Sequence, residues 1–517
     1  MNINFFSNGL FIIAFFLLAI SILSFCFKRI NLSLVLLFLG SLFLGLFVAQ
    51  LDPFINIWDE RFHALVAKNL LVDPLRPVLI PSPLFGVPNY AWNYCEIWLH
   101  KQPLFLWQIA LSIKLFGLNE MAIRIPSVLM HAILVICIYR VGRLISNYRV
   151  GYYAALFFTC AYFPLEFLTG FYATDHNDNA FLFYSFVSLW LLFEYYHTKK
   201  SYFIFLIALT AGGAVLCKWL TGLLVYGVWL LTILLSEKKT DYKNELQKFL
   251  SSLVLCLLIF LPWQFFTLIN FPKEFQYTMS FNEKHIFEAL EGHGGNSFFY
   301  YEALYEQFGE GLLIPPFILL CFVFMLTRVK NIKHKYILLV PVVATSIFFT
   351  IVKTKMLGYT FLYLPIFILG FAFLFDLIVE KIAKSIPSKF QINKLVIIPL
   401  LISVTMLFFN SDKLNKHHSN REYGRFVSRF YYIKEKQLYL NIKNSFGSKK
   451  CLLFNCSIFP ASEILATFYT DYPSFSYILS KEQIKLAKDL EYNLIAIDNG
   501  KLPKHIIDDL KIVKVRL

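Results

Sequence analysis

The chain contains few charged residues and few cysteines for its length. Only 16% of its 517 residues are Asp, Glu, Lys or Arg, whereas 58% are hydrophobic. A soluble globular domain is about one quarter charged, so this composition excludes an ordinary soluble enzyme. The nine cysteines have no metal-ligand spacing, and most lie in apolar runs, where a thiol behaves as a small hydrophobic group.

Long apolar runs predict an all-α protein that crosses a membrane many times. A hydrocarbon core about 30 Å thick requires about twenty apolar residues per helix. The first run is followed closely by a second, so we interpret it as a retained anchor rather than a cleaved signal. Twelve spans are predicted, at 8–27, 31–51, 121–143, 150–169, 179–196, 201–217, 219–236, 248–270, 311–327, 336–352, 358–380 and 394–410.

Basic residues collect in alternate connections between these spans, and by the positive-inside rule those connections face the cytoplasm. The loops at 52–120 and 271–310 and the tail after residue 410 then lie on the extracytoplasmic side of the cytoplasmic (inner) membrane. We therefore divide the chain into a transmembrane domain, residues 1–410, and a soluble extracytoplasmic domain, residues 411–517.

The sequence pattern of the tail predicts a small α/β domain. Residues 450–455 and 492–498 have the pattern of buried strands, and residues 481–490 that of an amphipathic helix. The net charge of +15 comes mostly from the membrane topology and this lysine-rich tail. Because no coherent basic face on a soluble domain is indicated, we expect membrane lipids but no nucleic acid as partners.

Two adjacent carboxylates, Asp59 and Glu60, follow the second span at the membrane surface. One interpretation is structural: Asp59 caps a helix over 60–71, and Glu60 suits its first turn. The other is functional: the pair supplies a general base or binds a divalent metal at the lipid surface. Ionisable groups near a membrane are costly and favour the second interpretation.

Several cations are predicted on the same side of the membrane. Lys101 leads a helix that begins near Pro103, so it is a candidate for pairing with a phosphate, although lysines at span ends also snorkel to the surface. The other three cations have the same two interpretations, a phosphate ligand or an ordinary lysine at the end of a span. These are Lys218, Lys353 and Lys355.

A second acidic cluster, Asp175-His176-Asn177-Asp178, directly precedes an apolar span. It is either a solvated turn or a set of hydroxyl or metal ligands. His293 lies among glycines that would let the backbone approach a phosphate, but the pattern is neither a P-loop nor a dinucleotide fingerprint. For a metal, which the sequence does not require, the candidates are Asp59, Glu60 and His176.

Short motifs in a characteristic order resemble the GT-C integral-membrane glycosyltransferases, in particular the branch with protein O-mannosyltransferases and the aminoarabinose transferase of lipid A. The likeness covers roughly residues 50–370 and is most specific in its first 130 residues. The motifs are Asp59-Glu60 with Ala64-x-x-Ala67-x-x-Leu70; His100-Lys101-Gln102-Pro103-Leu104 with Trp107; Leu115-Phe116-Gly117 followed by Ala122-x-Arg124-x-Pro126-Ser127; Asp175 and Asp178 before an aromatic span; Lys218 with Gly222; His293 before Tyr300-Tyr301; and Lys353-x-Lys355 before Tyr363-Leu364-Pro365.

The resemblance implies a transferase that moves a sugar, with inversion, from a polyprenyl-monophosphate carrier to a lipid, protein or glycan acceptor outside the membrane. It implies that Asp59 is the principal acid at the acceptor, and that Lys101 and Lys218 lie near the carrier phosphate. Either Asp175 or Asp178 matches the second acidic position. Arg61 is displaced by one position from the arginine of many relatives, which carry Arg-Tyr where this chain has Phe62-His63.

Two other classes of membrane protein remain as alternatives. A ligase or polymerase that uses a diphosphate carrier usually has an arginine-rich outer loop, and residues 271–310 contain no arginine. A transporter of lipid-linked substrates favours polar residues at mid-span and repeated halves with broken helices, which are not evident in this sequence.

Overall fold

The computed structural model describes residues 5–81, 84–86, 91–171, 175–236, 239–309, 311–385, 392–414, 420–422 and 426–516. In the described part of its first four hundred residues, the regular elements are helices, and the longest connection between them lies between Asn69 and Leu104. The helices are α1 (Gly9–Cys26), α2 (Ile30–Ala49), α3 (Asp59–Asn69), α4 (Leu104–Phe116), α5 (Glu120–Ile145), α6 (Tyr148–Cys160), α7 (Tyr162–Glu166), α8 (Asp175–Thr198), α9 (Tyr202–Lys218), α10 (Leu224–Ser236), α11 (Lys239–Asn270), α12 (Pro272–Phe287), α13 (Phe299–Phe308), α14 (Ile314–Arg328), α15 (Ile332–Ile351), α16 (Leu364–Ser385) and α17 (Ile392–Phe409). Short 3-10 helices lie at Phe5–Ser7, Trp219–Leu223, Leu290–Gly292 and Leu357–Tyr363.

Each of the twelve apolar runs coincides with helical structure, so the predicted class of a polytopic all-α protein is confirmed. The run 150–169 is divided between α6 and α7. Within the described ranges, eight segments are long and apolar enough to cross a membrane: Gly9–Cys26, Ile30–Ala49, Glu120–Ile145, Tyr202–Leu235, Asp241–Asn270, Ile332–Ile351, Leu357–Lys384 and Ile397–Leu414.

Asparagine side chains cap the N-termini of several of these helices. The side chain of Asn119 accepts a hydrogen bond from the backbone N–H of Ala122 at 2.9 Å and begins α5. Asn147 begins α6 in the same way, accepting from Arg149 and Val150 at 2.8 and 3.0 Å. Such caps satisfy backbone donors that have no partner within the helix, so they fix where α5 and α6 start.

The segment 271–310, predicted as a long loop, is mostly helical. Pro272 occupies the start of α12, where its missing N–H costs nothing, and α13 follows. Between these two helices, residues 288–298 lie outside α-helix. The prediction of a forty-residue loop was wrong because α12 is amphipathic and lacks the continuous apolar run by which the spans were recognised.

The C-terminal region contains a small parallel sheet with flanking helices. Its strands β3 (Cys451–Phe454), β4 (Asn493–Asp498) and β5 (Ile512–Arg516) pair in that order, with Leu453 opposite Ile495 and Ile495 opposite Val513. The strands and helix predicted there are confirmed. The elements are β1 (Asn420–Glu422), β2 (Phe426–Ser428), α18 (Arg429–Phe446), β3 (Cys451–Phe454), α19 (Ser462–Thr470), α20 (Lys481–Asp489), β4 (Asn493–Asp498), α21 (Lys504–Ile507) and β5 (Ile512–Arg516).

Helices α5 and α6 approach closely because both carry glycine at their crossing. A Cβ atom added at Gly142 would lie 2.6 Å from the Cα atom of Gly151, which is closer than real contacts allow. The crossing brings together two helices of the membrane domain, one of which also carries Arg124.

We predict that Gly142→Ala lowers stability by about 1–3 kcal/mol, because the extra carbon overpacks a backbone contact. The measurement is the thermal unfolding midpoint in detergent. Gly227→Ala is the matched control, since nothing lies within 4 Å of that position and alanine favours a helix. Equal midpoints for the two variants would contradict the proposed close crossing.

Candidate active site

A cavity of about 1020 Å³ lies where the first loop meets the ends of several helices. Four of the residues singled out from sequence line it: Asp59, Lys101, Lys218 and His293. The other lining residues are Trp58, Trp92, Asn93, His100, Gln102, Asn177, Cys217, Trp219, Asn282, His285, Glu291, Gly292, Met356 and Tyr359.

Asp59 and Lys101 form a pair on one wall of the cavity, with 3.4 Å between the carboxylate and the ammonium. Asp59 is the first residue of α3 and not its cap; Trp58 occupies the cap position, with no side-chain capping bond. The helix-cap interpretation of Asp59 was therefore wrong. Trp58 has a φ of +63°, a conformation that costs a non-glycine residue about 1–3 kcal/mol and persists only where neighbours impose it.

Lys218 and Asp178 form a second pair. Lys218 ends α9, and its ammonium is bound to the Asp178 carboxylate and lies 4.8 Å from the ring centre of Tyr359. A Cβ atom at Gly358 would collide with that carboxylate, so glycine makes room for it. Asp178 is buried, and it contacts the cavity through Lys218 rather than directly.

Glu60 points away from the cavity into a buried ion pair. Both of its carboxylate oxygens accept hydrogen bonds from Arg124, at 2.7 and 2.9 Å, and the backbone N–H of Asn56 donates to one of them at 2.6 Å. Burial alone would raise the pKa of Glu60, but the charges of Arg124 and His176 hold it well below its usual value. A carboxylate held ionised in this way is a weak base. Glu60 therefore has a structural role beside the cavity rather than the role of a general base.

Arg124 binds the backbone of the segment that leads to α3. Its guanidinium donates to the carbonyl oxygens of Ala49, Asp52 and Phe54 at 2.6–2.8 Å, in addition to Glu60. A planar guanidinium with five donors suits this task. Arg124 was part of a recognised motif but was given no role from sequence; the signal was a charged residue within the predicted span 121–143.

The second acidic cluster forms the first turn of α8, and His176, Asn177 and Asp178 are buried there. The solvated-turn interpretation was therefore wrong for these three residues. His176 lies 3.4 Å from the Glu60 carboxylate and 3.3 Å from the Ser127 hydroxyl. The side chain of Asp175 lies outside the described residues.

The other predicted cations do not face the cavity. Arg61 is fully buried and pairs with Glu435 at 2.6 Å. The ammonium of Lys355 donates to carbonyl oxygens at the end of α15, those of Phe349, Thr350 and Val352, at 2.5–2.7 Å. Lys353 is exposed.

Lys355 nevertheless supports the cavity wall. Its backbone N–H donates to the carbonyl oxygen of His293 at 2.8 Å, which fixes His293 at the cavity. Thr354 reinforces this, because its hydroxyl contacts His285 Nδ1 at 3.0 Å and donates to the Glu288 carbonyl oxygen at 2.8 Å.

Aromatic rings and neutral histidines cover another wall. His100 stacks on Trp92 with 4.6 Å between ring centres, and the indole N–H of Trp92 donates to Glu291 at 2.6 Å. Burial, together with the charge of Lys101, lowers the pKa of His100 well below its usual value and that of His285 to about 4. Both imidazoles are thus neutral at pH 7.

The metal candidates do not converge on one point. Among the residues that the structure describes, no group of three His, Cys, Asp or Glu side chains is placed to hold a metal ion. Asp59 lines the cavity, whereas Glu60 and His176 belong to the Arg124 network. A divalent ion at Asp59 would therefore need ligands from its substrate or from water.

We predict that Arg124→Ala lowers the free energy of unfolding by about 3–5 kcal/mol, because it leaves Glu60 buried without a counter-charge. Arg76→Ala, which breaks an exposed pair with Glu96, is the control, with an expected loss of about 0–1 kcal/mol. Chemical denaturation in detergent measures both. Similar losses for the two variants would contradict the structural role of Arg124.

A pH dependence of stability follows from His285. Its folded pKa of about 4 lies below the unfolded value, so its contribution is complete above about pH 6.5 and is lost as the pH falls towards 4. We expect the midpoint of His285→Asn to fall less than that of the wild type between about pH 7 and about pH 5. Parallel falls would show that His285 is not held neutral.

Part of the chain matches a known protein family. The family model for dolichyl-phosphate-mannose-protein mannosyltransferases matches residues 100–266. An uncharacterized protein of Aquifex aeolicus is 30% identical over 187 residues, which are 35% of this chain and 34% of the relative. The chain thus spans about a third of the length of that curated relative.

Solved structures share the fold over most of the chain. ArnT from Cupriavidus metallidurans bound to undecaprenyl phosphate has a TM-score of 0.61 at 13% identity, over 88% of this chain and 87% of that one. The archaeal oligosaccharyltransferase AglB from Archaeoglobus fulgidus, in complex with an inhibitory peptide and a dolichol-phosphate, has a TM-score of 0.55 at 10% identity, over 87% and 65%. The predicted resemblance is confirmed at the level of the fold: this chain has the architecture of the GT-C membrane glycosyltransferases.

Proposed function

We propose that the protein is a glycosyltransferase that moves a sugar from a polyprenyl-monophosphate carrier to an acceptor outside the cytoplasmic membrane, with inversion. The observation that carries the proposal is the single cavity that joins Asp59, Lys101 and Lys218 in a GT-C fold. Support comes from the matched family model and from two structures of similar fold, one solved with undecaprenyl phosphate and the other with a dolichol-phosphate.

The charges around the cavity suit a phosphodiester donor. Lys101 and Lys218 each have a carboxylate nearby, Asp59 and Asp178, so the resting pairs are close to neutral. An incoming phosphodiester would bring one negative charge into a cavity that both lysines line. The volume of about 1020 Å³ lies at the upper end of common small-molecule sites, which leaves room for a phosphate, a sugar and an acceptor group.

The reaction is a displacement at the anomeric carbon of the sugar. The acceptor oxygen forms a bond to that carbon as the bond to the carrier phosphate oxygen breaks, which inverts the configuration. Lys101 and Lys218 stabilise the negative charge of the departing polyprenyl phosphate. If the acceptor is a hydroxyl, its proton passes to Asp59; if it is an ionised phosphate, Asp59 orients it.

The acceptor class is a lipid, a protein or a glycan at the extracytoplasmic surface. This assignment rests on the distribution of basic residues, since the cavity lies at the loops that the positive-inside rule directs outward. The ligase or polymerase alternative requires a diphosphate carrier. Residues 271–310 bear no arginine for a second phosphate, which favours the monophosphate.

We predict that Asp59→Asn and Lys101→Ala each lower transfer by at least about 100-fold, because one removes the base and the other a phosphate contact. The measurement is transfer of radiolabelled sugar from polyprenyl-phosphate donors to a membrane extract by the purified protein. Lys114→Ala, an exposed lysine on α4, is the control and keeps wild-type transfer.

Loss of transfer in the two cavity variants, with unchanged purification and thermal midpoint, would support the assignment. Normal transfer by both variants would overturn the site. Transfer from a diphosphate-linked donor only would overturn the monophosphate carrier in favour of the ligase class.

A further inference from the structure

Helix α18 of the C-terminal region lies against the loop that leads to Asp59. The ring of Tyr432 stacks on that of Phe54, with 5.2 Å between centres. The ammonium of Lys436 donates to the carbonyl oxygen of Pro53 at 2.9 Å and pairs with Glu120 at 2.7 Å. The loop before α3 is thus held by α18 on one side and by Arg124 on the other.

The same helix also holds α3 itself through a buried ion pair. Arg61 donates to both carboxylate oxygens of Glu435, at 2.6 and 3.2 Å, and to the carbonyl oxygen of Pro460 at 3.1 Å. The hydroxyl of Ser462 donates to the same carboxylate. Both charged side chains are at most 1% exposed, so the pair is shielded from water and fixed in its geometry.

The far end of α3 is attached to the same region. Lys68 pairs with Asp471 at 2.5 Å and donates to the carbonyl oxygen of Phe468 at 2.5 Å. Lys443 of α18 also pairs with Asp471, at 3.0 Å. Helix α3 is therefore connected to the C-terminal region near both of its ends.

We propose that the C-terminal region positions Asp59, with Glu435 as the positioning residue that acts through Arg61. This inference rests on the proposed function. Asp59 and Arg61 lie two residues apart in one helical turn, next to the left-handed Trp58, so a shift at Arg61 moves the Asp59 carboxylate. Within the described chain, no residue beyond Tyr359 lines the cavity, so the C-terminal region acts on the chemistry through the elements that it contacts, among them α3 and the loop before it.

The donor-binding cations lie outside α3, although Lys101 pairs with Asp59. Lys218 lies at the end of α9, and Lys101 precedes α4, so neither belongs to α3. A displaced Asp59 should therefore slow the chemical step while the donor still binds. A small displacement of a reacting group is enough to reduce the rate of an enzyme substantially.

The test compares kcat and the donor KM of Glu435→Gln with those of the wild type, in the full-length protein. We expect a loss of kcat of tenfold or more with a donor KM within twofold of the wild type. A second variant, Lys436→Ala, is a milder change at a partly exposed residue and should lower kcat several-fold. It tests the same inference if Glu435→Gln does not fold.

Glu194→Gln is the matched control. Glu194 is also largely buried and pairs with an arginine, Arg140, but it lies sixteen residues beyond Asp178 along α8, about 24 Å away. It should lower the thermal midpoint without lowering kcat at a permissive temperature. This separates loss of positioning from general loss of stability.

Wild-type kcat in both Glu435→Gln and Lys436→Ala would overturn this inference and leave the proposed function intact. A raised donor KM at unchanged kcat would also overturn it, since the region would then serve binding. Absence of any transfer by the wild type would instead overturn the proposed function and this inference with it.

Discussion

The buried pair between Glu60 and Arg124 is the interaction on which the candidate site depends. Arg124 holds Glu60, the carbonyl oxygen at the end of α2 and two carbonyl oxygens of the following loop, so it fixes where α3 begins. Burying two charges is costly unless every donor and acceptor is satisfied, and here both carboxylate oxygens have donors. The pair orients the residue beside it, Asp59, towards the cavity.

Three successive side chains at the start of α3 point to three different parts of the molecule. Asp59 faces Lys101 in the cavity, Glu60 faces Arg124 in the membrane domain, and Arg61 faces Glu435 in the C-terminal region. One helical turn therefore connects the cavity with both the membrane domain and the C-terminal region.

The sequence predicted the membrane helices well, because a bilayer fixes the length and polarity of each span. Asp59, Lys101 and Lys218 were also predicted to act together, and they line one cavity. The partners of Glu60 and Arg61 could not be predicted, because each is contributed by a helix distant along the chain. An apolar pattern indicates which face is buried, but it does not reveal which charge a buried arginine meets.

The most direct test of the central claim is a structure of the protein with undecaprenyl phosphate. We predict that the phosphate lies in the cavity within hydrogen-bonding distance of Lys101 or Lys218, with the lipid tail leaving between apolar helices. A phosphate bound elsewhere, with the cavity unchanged, would contradict the claim that these lysines bind the carrier.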